Sequence, residues 1–596
     1  MPLILCWQVG LTPMKKPEQN QYHAWNPGLT SNLPSRLLPQ VTLFRPENSH
    51  IGYAEAKEAA DFCGLAVEQL CALRVERLVV HELLIRVTAD LSVPDGPSYE
   101  YLGLQLRGMV DRIYRRYMTP RMPSIATEFN LVCSRAEVAI RALLDTALSQ
   151  ASVAGKPAKG IFDRFFHRET KPAHNDGVRD QATIEHIAST AAGADEFGAA
   201  CISALLAILN GIMGKQGKLV ADRDLIIKLA LRVFRNDYGS RAVGRFIAPF
   251  FAEAAKAEGY RFLPAQRDPI VMNTKGASAA GKSTIRPKQR LLAEKMGIPW
   301  EDFALISPDY WRKYLLDYDS VGADYKYAAM LTGRELEFVD KKLDLYMAEK
   351  AINKTVPHLL IDRFRFDSFK VDSEGDYKST LLSRFGSTVF LFFTITPPAE
   401  TVERAWQRGL STARYKAVDD LLYHNIEAFN GIPQLFFSWM AIKDKKIYFE
   451  FLDNDVPLGD LPRTIAFGRN DWMTILDPEA LSNIDRFKEV NVGAIKASEV
   501  LDPNWTHTYH FLQQCKSMFP NIEFADHKTA GIYGRVRAGQ WYYKNQRALP
   551  VERLSGSLLA AIGWSETPEP KKMKVERIDV TAEKRVTLGA WGNDAK

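Results

Sequence analysis

The sequence predicts a three-part chain. An α/β domain with a parallel sheet and helices on both faces is preceded by a mostly α-helical domain and followed by a smaller α+β region. Three observations predict it. Short apolar runs alternate with helix-length stretches between 268 and 452, the pattern of a sheet covered on both faces. Dense helix-like segments without that alternation fill most of the first 260 residues. A glycine-bounded turn, GASAAGKST at 276–284, follows the first apolar run. The divisions this suggests are an irregular arm at 1–50, a helical domain at 51–262, a P-loop kinase-like α/β domain at 263–465 and an α+β region with a charged tail at 466–596.

The bulk numbers set the class. A chain of 596 residues exceeds a single core and suggests roughly three or four domains. With 46% hydrophobic and 25% charged residues, it has the composition of an ordinary globular protein. A net charge of +6 is too small at this length to argue for a nucleic-acid or membrane partner. Six cysteines (Cys6, Cys63, Cys71, Cys133, Cys201 and Cys515) form no CxxC pair and read as buried free thiols in a reducing compartment. The start, MPLILCWQVG, lacks a basic region and a cleavage site, so no secretory leader is expected, and Met14 is an alternative start. The expected location is the cytoplasm, with secretion as an effector left open.

The elements follow in order. Residues 1–50 are rich in Pro and Asn without periodicity. From 65 to 91 there is no Gly or Pro, and apolar residues crowd more than one face, as in a helix inside a bundle. Similar stretches lie near 100–118, 127–149, 181–213 and 223–258. Between them AGKPAKGIFDRFFHRETKPAHNDG reads as a loop. FGAACISALLAILNGIMG at 197–214 is short for a membrane span, carries glycines and Asn210, and reads as a buried helix. Strands are expected at PIVMNTKG (269–276), FALIS (303–307), HLLID (358–362), TVFLFFTI (388–395) and KIYFEFL (446–452).

GxxxxGK[ST] is a phosphate cradle when a strand precedes it and a helix follows, because backbone N–H groups and the helix N-terminus then face the phosphates. Gly276, Ala277, Ser278, Ala279, Ala280, Gly281, Lys282, Ser283 and Thr284 are the candidate nucleotide contacts. Lys282 would reach the β and γ oxygens and Ser283 would ligate Mg²⁺. Pro287 should bend or delay the helix that follows. Transfer to a hydroxyl also needs a carboxylate for the proton and cations for the moving charge. SPDYWR places Asp309 just past the second strand, with Arg312 three residues on; a helix cap is the plainer role for Asp309. Asp362 closes the third strand as a candidate Mg²⁺ acid, against a simple ion pair with Arg363 or Arg365. In ERAWQRGLSTAR, Arg404 and Arg408 share a helix face and Arg414 follows. They read as a phosphate-closing lid, against a solvated surface.

Together these residues resemble zeta-toxin-like P-loop kinases over roughly 265–455. The resemblance implies ATP or GTP with Mg²⁺ on Lys282 and Ser283, Asp309 as base, and Arg312, Arg404, Arg408 and Arg414 steadying phosphates. It also implies an acceptor hydroxyl on a nucleotide-type substrate. Where the toxins carry a Glu-Gly-Thr-like turn that seats their sugar, this chain has Asp362-Arg363-Phe364, so that substrate is not carried over. Antitoxins of the family are small helical bundles that block the nucleotide site, which makes the N-terminal helices a candidate inhibitor in cis.

Two further signals carry less. His507, His510 and His527 lack a Cys or carboxylate cluster and read as ordinary histidines rather than metal ligands. GIYGRVRAGQWYYKNQRA mixes Arg535, Arg537, Lys544 and Arg547 with Tyr533, Trp541, Tyr542 and Tyr543. It reads as a hairpin with one basic face, and otherwise as a stacking surface for nucleic acid. The function expected is therefore transfer of the γ-phosphate of ATP or GTP to a hydroxyl of a nucleotide-like small molecule. The rivals are a polynucleotide 5′-hydroxyl kinase and a nucleotide-gated interaction protein that transfers nothing.

Overall fold

A computed structural model of the chain describes residues 22–96, 99–154, 176–219, 222–362, 386–457, 459–506, 508–565, 574–579 and 586–592. Cys6 and the N-terminal run with Met14, most of the 154–177 loop, Arg363, Phe364, Arg365, His507 and most of the charged tail lie outside the described residues.

The N-terminal helices are α1 (Tyr53–Cys63), α2 (Val75–Asp90), α3 (Tyr99–Ile113), α4 (Met122–Ala154), α5 (Asp176–Ser189), α6 (Glu196–Gln216), α7 (Arg223–Phe234) and α8 (Ser240–Ala257). The continuous stretch expected at 181–213 is two helices. Gly193 turns left-handed at φ 99°, and the Asp195 side chain then caps α6 by accepting from Gly198 N at 2.7 Å, satisfying a donor the helix start leaves open. The stretch from 65 to 91 likewise divides into a 3₁₀ turn, Val67–Leu70, and α2.

Helix α2 is buried on nearly every side, charged residues included. Those charges are matched from elsewhere. Arg77 grips Glu335 with two bonds of 2.5 and 2.7 Å, and His81 Nε2 lies 2.7 Å from the same carboxylate. Arg86 pairs with Glu82 at 2.7 Å, and Glu82 also accepts from Ser240 at 2.9 Å. Burial, with the Lys342 ammonium 3.1 Å from Nδ1, lowers His81. The ring is thus neutral, donating from Nε2 to Glu335 and accepting at Nδ1 from Lys342.

The sheet begins with the expected strands: β1 (Ile270–Lys275), β2 (Phe303–Ile306), β3 (His358–Asp362), β4 (Thr388–Ile395) and β5 (Lys446–Asp453). Between β1 and β2 runs α9 (Arg286–Lys295). Between β2 and β3 come α10 (Arg312–Leu315), α11 (Ala328–Leu331) and α12 (Gly333–Ile352), and between β4 and β5 come α13 (Pro398–Thr412) and α14 (Val418–Met440). These five strands lie in the order β5-β4-β1-β3-β2 and pair in parallel throughout. The chain leaves β1 toward one side for β2 and β3 and returns to the other for β4, so the order reverses beside β1. Such a reversal opens a crevice at the carboxyl ends of the strands.

The sheet does not end at 465. β6 (Arg463–Arg469) spans that expected boundary and pairs antiparallel with β5. β7 (Trp472–Ile475), α15 (Pro478–Arg486), α16 (His510–Met518), β8 (Asn521–Ala525), β9 (Ile532–Arg537), β10 (Gln540–Lys544) and α17 (Gly556–Ala561) follow. One ten-stranded sheet results, ordered β10-β9-β8-β7-β6-β5-β4-β1-β3-β2. Extending the ladder leaves β5 without an open edge, the arrangement that blocks unwanted strand pairing.

The core ignores the division near 262 as well. One hydrophobic cluster joins α2, α3 and α8 to the sheet, while α1 and α4–α7 build a second, purely helical one. Among the described residues α6 is the one helix long and apolar enough to cross a membrane. Its buried residues, from Cys201 to Ile212, belong to that helical core.

Candidate functional site

The GASAAGKST turn sits at the carboxyl end of β1, at the centre of the parallel block. Its shape is enforced by what it touches. A Cβ on Gly276 would lie 2.0 Å from Thr394 Oγ1, and one on Gly281 would lie 2.3 Å from Asn454 Nδ2. Gly281 is also left-handed at φ 84°, where a side chain is strained. Ala277 and Ala280 are buried in one small cluster with Ala428 of α14. The Ala280 carbonyl accepts from Asn454 Nδ2 at 2.9 Å and from Thr396 Oγ1 at 3.0 Å. Lys282 folds onto the loop, donating to Ala277 O at 2.9 Å and Gly276 O at 3.2 Å. Ser283 and Thr284 lie in the 3₁₀ turn Lys282–Ile285, and α9 starts only at Arg286 with Pro287 in its first turn. That is the delay proline imposes.

A cleft of about 390 Å³ opens beside this turn. Ser278, Asp309, Arg312, Asp362, Arg408 and Arg414 line it together, drawn from the ends of β1, β2 and β3 and from the far end of α13. Asp309 pairs with Arg414 Nη2 at 2.5 Å and with Arg312 Nε at 3.0 Å. Burial alone would raise the Asp309 carboxyl. The guanidiniums of Arg414, Arg312 and Arg408 outweigh it and hold the group well below the usual carboxylate range. Asp362 goes the other way. Burial raises it, and the Lys282 and Arg286 cations only partly offset this. Burial also lowers the Lys282 ammonium, against the pull of Asp362 and Asp309. Lys282, Asp309, Asp362 and Arg414 therefore share one electrostatic field.

Left-handed Ala413 (φ 59°) ends α13, and Arg414, almost fully buried, turns back into the cleft from there. Arg312 is held on three sides, by Asp309, by Ala329 O at 2.6 Å and by Thr332 Oγ1 at 3.1 Å. Arg404 departs from the expectation. Its guanidinium donates to Asn454 O at 2.8 Å and Val456 O at 3.0 Å, and it does not line the cleft. It fixes the turn after β5, the turn from which Asn454 reaches the Ala280 carbonyl, so it acts on the cradle through the backbone.

Several lining residues escaped the sequence reading. α12 contributes Glu337 and Asp340, and Lys416, Asp420 and His424 form the facing wall. Burial pushes Lys416 down to about 8 and lowers His424, against which its ammonium lies. No glycine signature or strand end marks these positions, which α12, α14 and the turn before α14 bring in.

The remaining candidates lie elsewhere. His527 is buried with Nε2 3.1 Å from Ala590 O, and His510 opens α16. No cluster of three His, Cys, Asp or Glu is set to hold a metal among the described residues. The basic–aromatic segment is the β9–β10 hairpin. Its Arg535 is engaged by Glu523 at 2.8 Å and Glu576 at 2.6 Å and sits over Tyr543. Trp541 donates to Ile562 O at 3.0 Å.

Compared with known proteins, the chain matches no family model, no curated protein and no solved structure.

Proposed function

We propose that the chain is a zeta-toxin-like P-loop phosphotransferase, moving the γ-phosphate of ATP or GTP to a hydroxyl of a nucleotide-like small molecule. One observation carries the reading: Ser278 of the glycine-bounded turn and the carboxylates Asp309 and Asp362 line one cleft at the strand ends. The parallel order that reverses beside β1 supports it, since ligands gather at such crevices.

In this reading the loop amides and Lys282 hold the phosphates. Lys282 exchanges the carbonyls it now contacts for phosphate oxygens. Ser283 and Asp362 are the residues that would hold Mg²⁺, through a hydroxyl and a carboxylate oxygen, and the ion would supply positive charge to the phosphates. The acceptor hydroxyl oxygen attacks the γ-phosphorus, the bond to the β–γ bridging oxygen breaks, and the nucleoside diphosphate leaves. The hydroxyl proton passes to Asp309. Arg414 and Arg312 gain phosphate oxygens as partners when a triphosphate enters, which frees Asp309 to accept that proton.

Incubation with γ-labelled ATP and a metabolite extract, read by mass spectrometry, tests the proposal. One hydroxyl compound gains phosphate with the native protein and none does with Asp309→Ala, which still binds ATP. Failure of the native protein to bind ATP or GTP ends the reading. Transfer or other activity indifferent to Asp309→Ala ends the assignment of the base.

A further inference from the structure

The N-terminal arm crosses the outside of the cleft and touches both walls. On the α13–α14 side, Trp25 Nε1 donates to Glu403 at 2.8 Å and Ser31 Oγ donates to Asp419. Ala24 and Trp25 pack with Val402, Ala405 and Trp406 of α13 and with Ala279 of the glycine-bounded turn. On the side that leads into α11 and α12, Arg36 grips Asp324 with two bonds of 2.5 and 2.6 Å. Lys326 donates to Pro27 O at 2.9 Å and caps the Tyr22 ring, 3.4 Å from its centroid. Leu29 fills the seam between Tyr415 and Tyr325, Tyr327 and Met330.

The arm is shaped for this path. His23 and Asn26 exchange backbone hydrogen bonds of 3.1 and 2.9 Å, and left-handed Gly28 (φ 78°) has no room for a Cβ, which would meet the Tyr22 ring at 2.4 Å. The lid helix answers in kind. A Cβ on Gly409 would meet the Tyr415 ring at 2.5 Å, so Tyr415 lies flat on α13 beneath Leu29.

We infer that residues 22–36 are a strap joining the two walls, and that Trp25, Ser31 and Arg36 are positioning residues that hold Arg408 and Arg414 over the cleft. The strap stands on contacts alone; what the arginines act on rests on the phosphotransferase reading. Without the strap, the ties that remain between the walls include the Arg414–Asp309 pair and the Tyr325–Tyr415 ring contact, with centroids 5.8 Å apart. The opening of α13 then sets how often the cleft is complete, and a ligand that needs both walls binds in proportion to that population.

Hydrogen exchange of the full chain tests it, comparing the native protein with the triple variant Trp25→Ala, Ser31→Ala, Arg36→Ala. The strap predicts amide exchange faster by about tenfold or more in α13 and in 413–420, with β1, β3 and β4 unchanged, as for a local opening. ATP affinity falls by a similar factor. Arg36→Asp alone gives a smaller version of the same pattern, and adding Asp324→Arg restores native exchange. Unchanged exchange in α13, or an increase spread evenly over the sheet, overturns the inference. Local opening in a protein that binds no nucleotide leaves the strap standing and removes the phosphotransferase reading instead.

Discussion

Asp309 Oδ2 and Arg414 Nη2 meet at 2.5 Å, joining the end of β2 to the turn that closes α13. Over a hundred residues separate them in the chain, yet Arg414 is the cation that lowers the Asp309 carboxyl most. The acid that would take a proton is thus held ionised by the cation that would steady a phosphate. Removing either changes both the charge and the shape of the cleft.

Arg414→Ala should therefore show two effects. Loss of a preorganised donor lowers kcat/KM by roughly 10²–10³. The acid limb of the kcat/KM profile, which reports the free protein, also moves to higher pH, because Asp309 loses the nearest cation depressing it. Arg414→Lys keeps the charge and recovers part of the shift. A profile that falls without moving would mean that Asp309 is not the titrating group.

Gly281→Ala is a steric test of the cradle. It places a methyl in the left-handed region, at about 1–2 kcal/mol, and drives it toward Asn454 Nδ2. The bond that props the Ala280 carbonyl must give way. Nucleotide affinity, measured by calorimetry, falls by about tenfold or more, while thermal stability changes little. Native affinity in this variant would show that the loop does not hold phosphates in this conformation.

Glu335 joins α2 to α12 from a fully buried position. Its replacement by Ala strands Arg77 in the core, and breaking one side of such a pair costs about 3–5 kcal/mol. Urea unfolding of the two proteins measures this directly. The lining of the cleft comes from 278 to 424, and the N-terminal helices lie behind α12 and the Asp309 turn, with Arg107 reaching the Tyr310 carbonyl at 3.3 Å. A chain beginning at 260 accordingly exposes core and is expected to aggregate; a soluble, more active fragment would instead favour inhibition in cis.

Glu450 supplies a pH test. Buried in β5, it accepts from Thr464 Oγ1 at 2.7 Å, Leu588 N at 2.7 Å and Gly589 N at 2.9 Å. Burial nevertheless pushes it up to about 7. A carboxyl raised on folding binds more protons in the folded state, so its contribution is full below the ordinary glutamate value and lost as pH rises through 7. The native protein should lose stability between pH 5 and 8 relative to Glu450→Gln, by on the order of 3 kcal/mol at most. Parallel stability–pH curves would refute this.

Much of the sheet was legible because its signals are local. Five apolar runs became β1–β5 nearly residue for residue, and the glycine pattern located the turn. Asp309 and Asp362 could be found because strand ends in a parallel block converge on one rim. What stayed hidden depends on distant partners. Nothing near Arg404 says that it binds the turn after β5, and nothing in VERLVVHELLIRVTAD says that its charges meet Glu335 and Lys342. The arm looked irregular because it has no period of its own, its order coming from the surfaces it crosses. The sheet's extension past 465 was missed for a related reason: β6, RTIAFGR, begins and ends in arginine, β7 has only four residues, and neither stands out from the mixed sequence around it.

The Trp25–Glu403 contact spans 378 positions, and this gives the arm a schedule as well as a place. At about 5–20 residues per second, its docking surface leaves the ribosome roughly 20–80 s after the arm does. A nascent chain that has passed the turn at 276–284 but not yet reached Glu403 carries the glycine-bounded turn without the clasp that closes it. The arm thus precedes both surfaces it clasps, meeting Asp324 of one wall before Glu403 and Asp419 of the other, and its second attachment waits until α14 has begun to emerge.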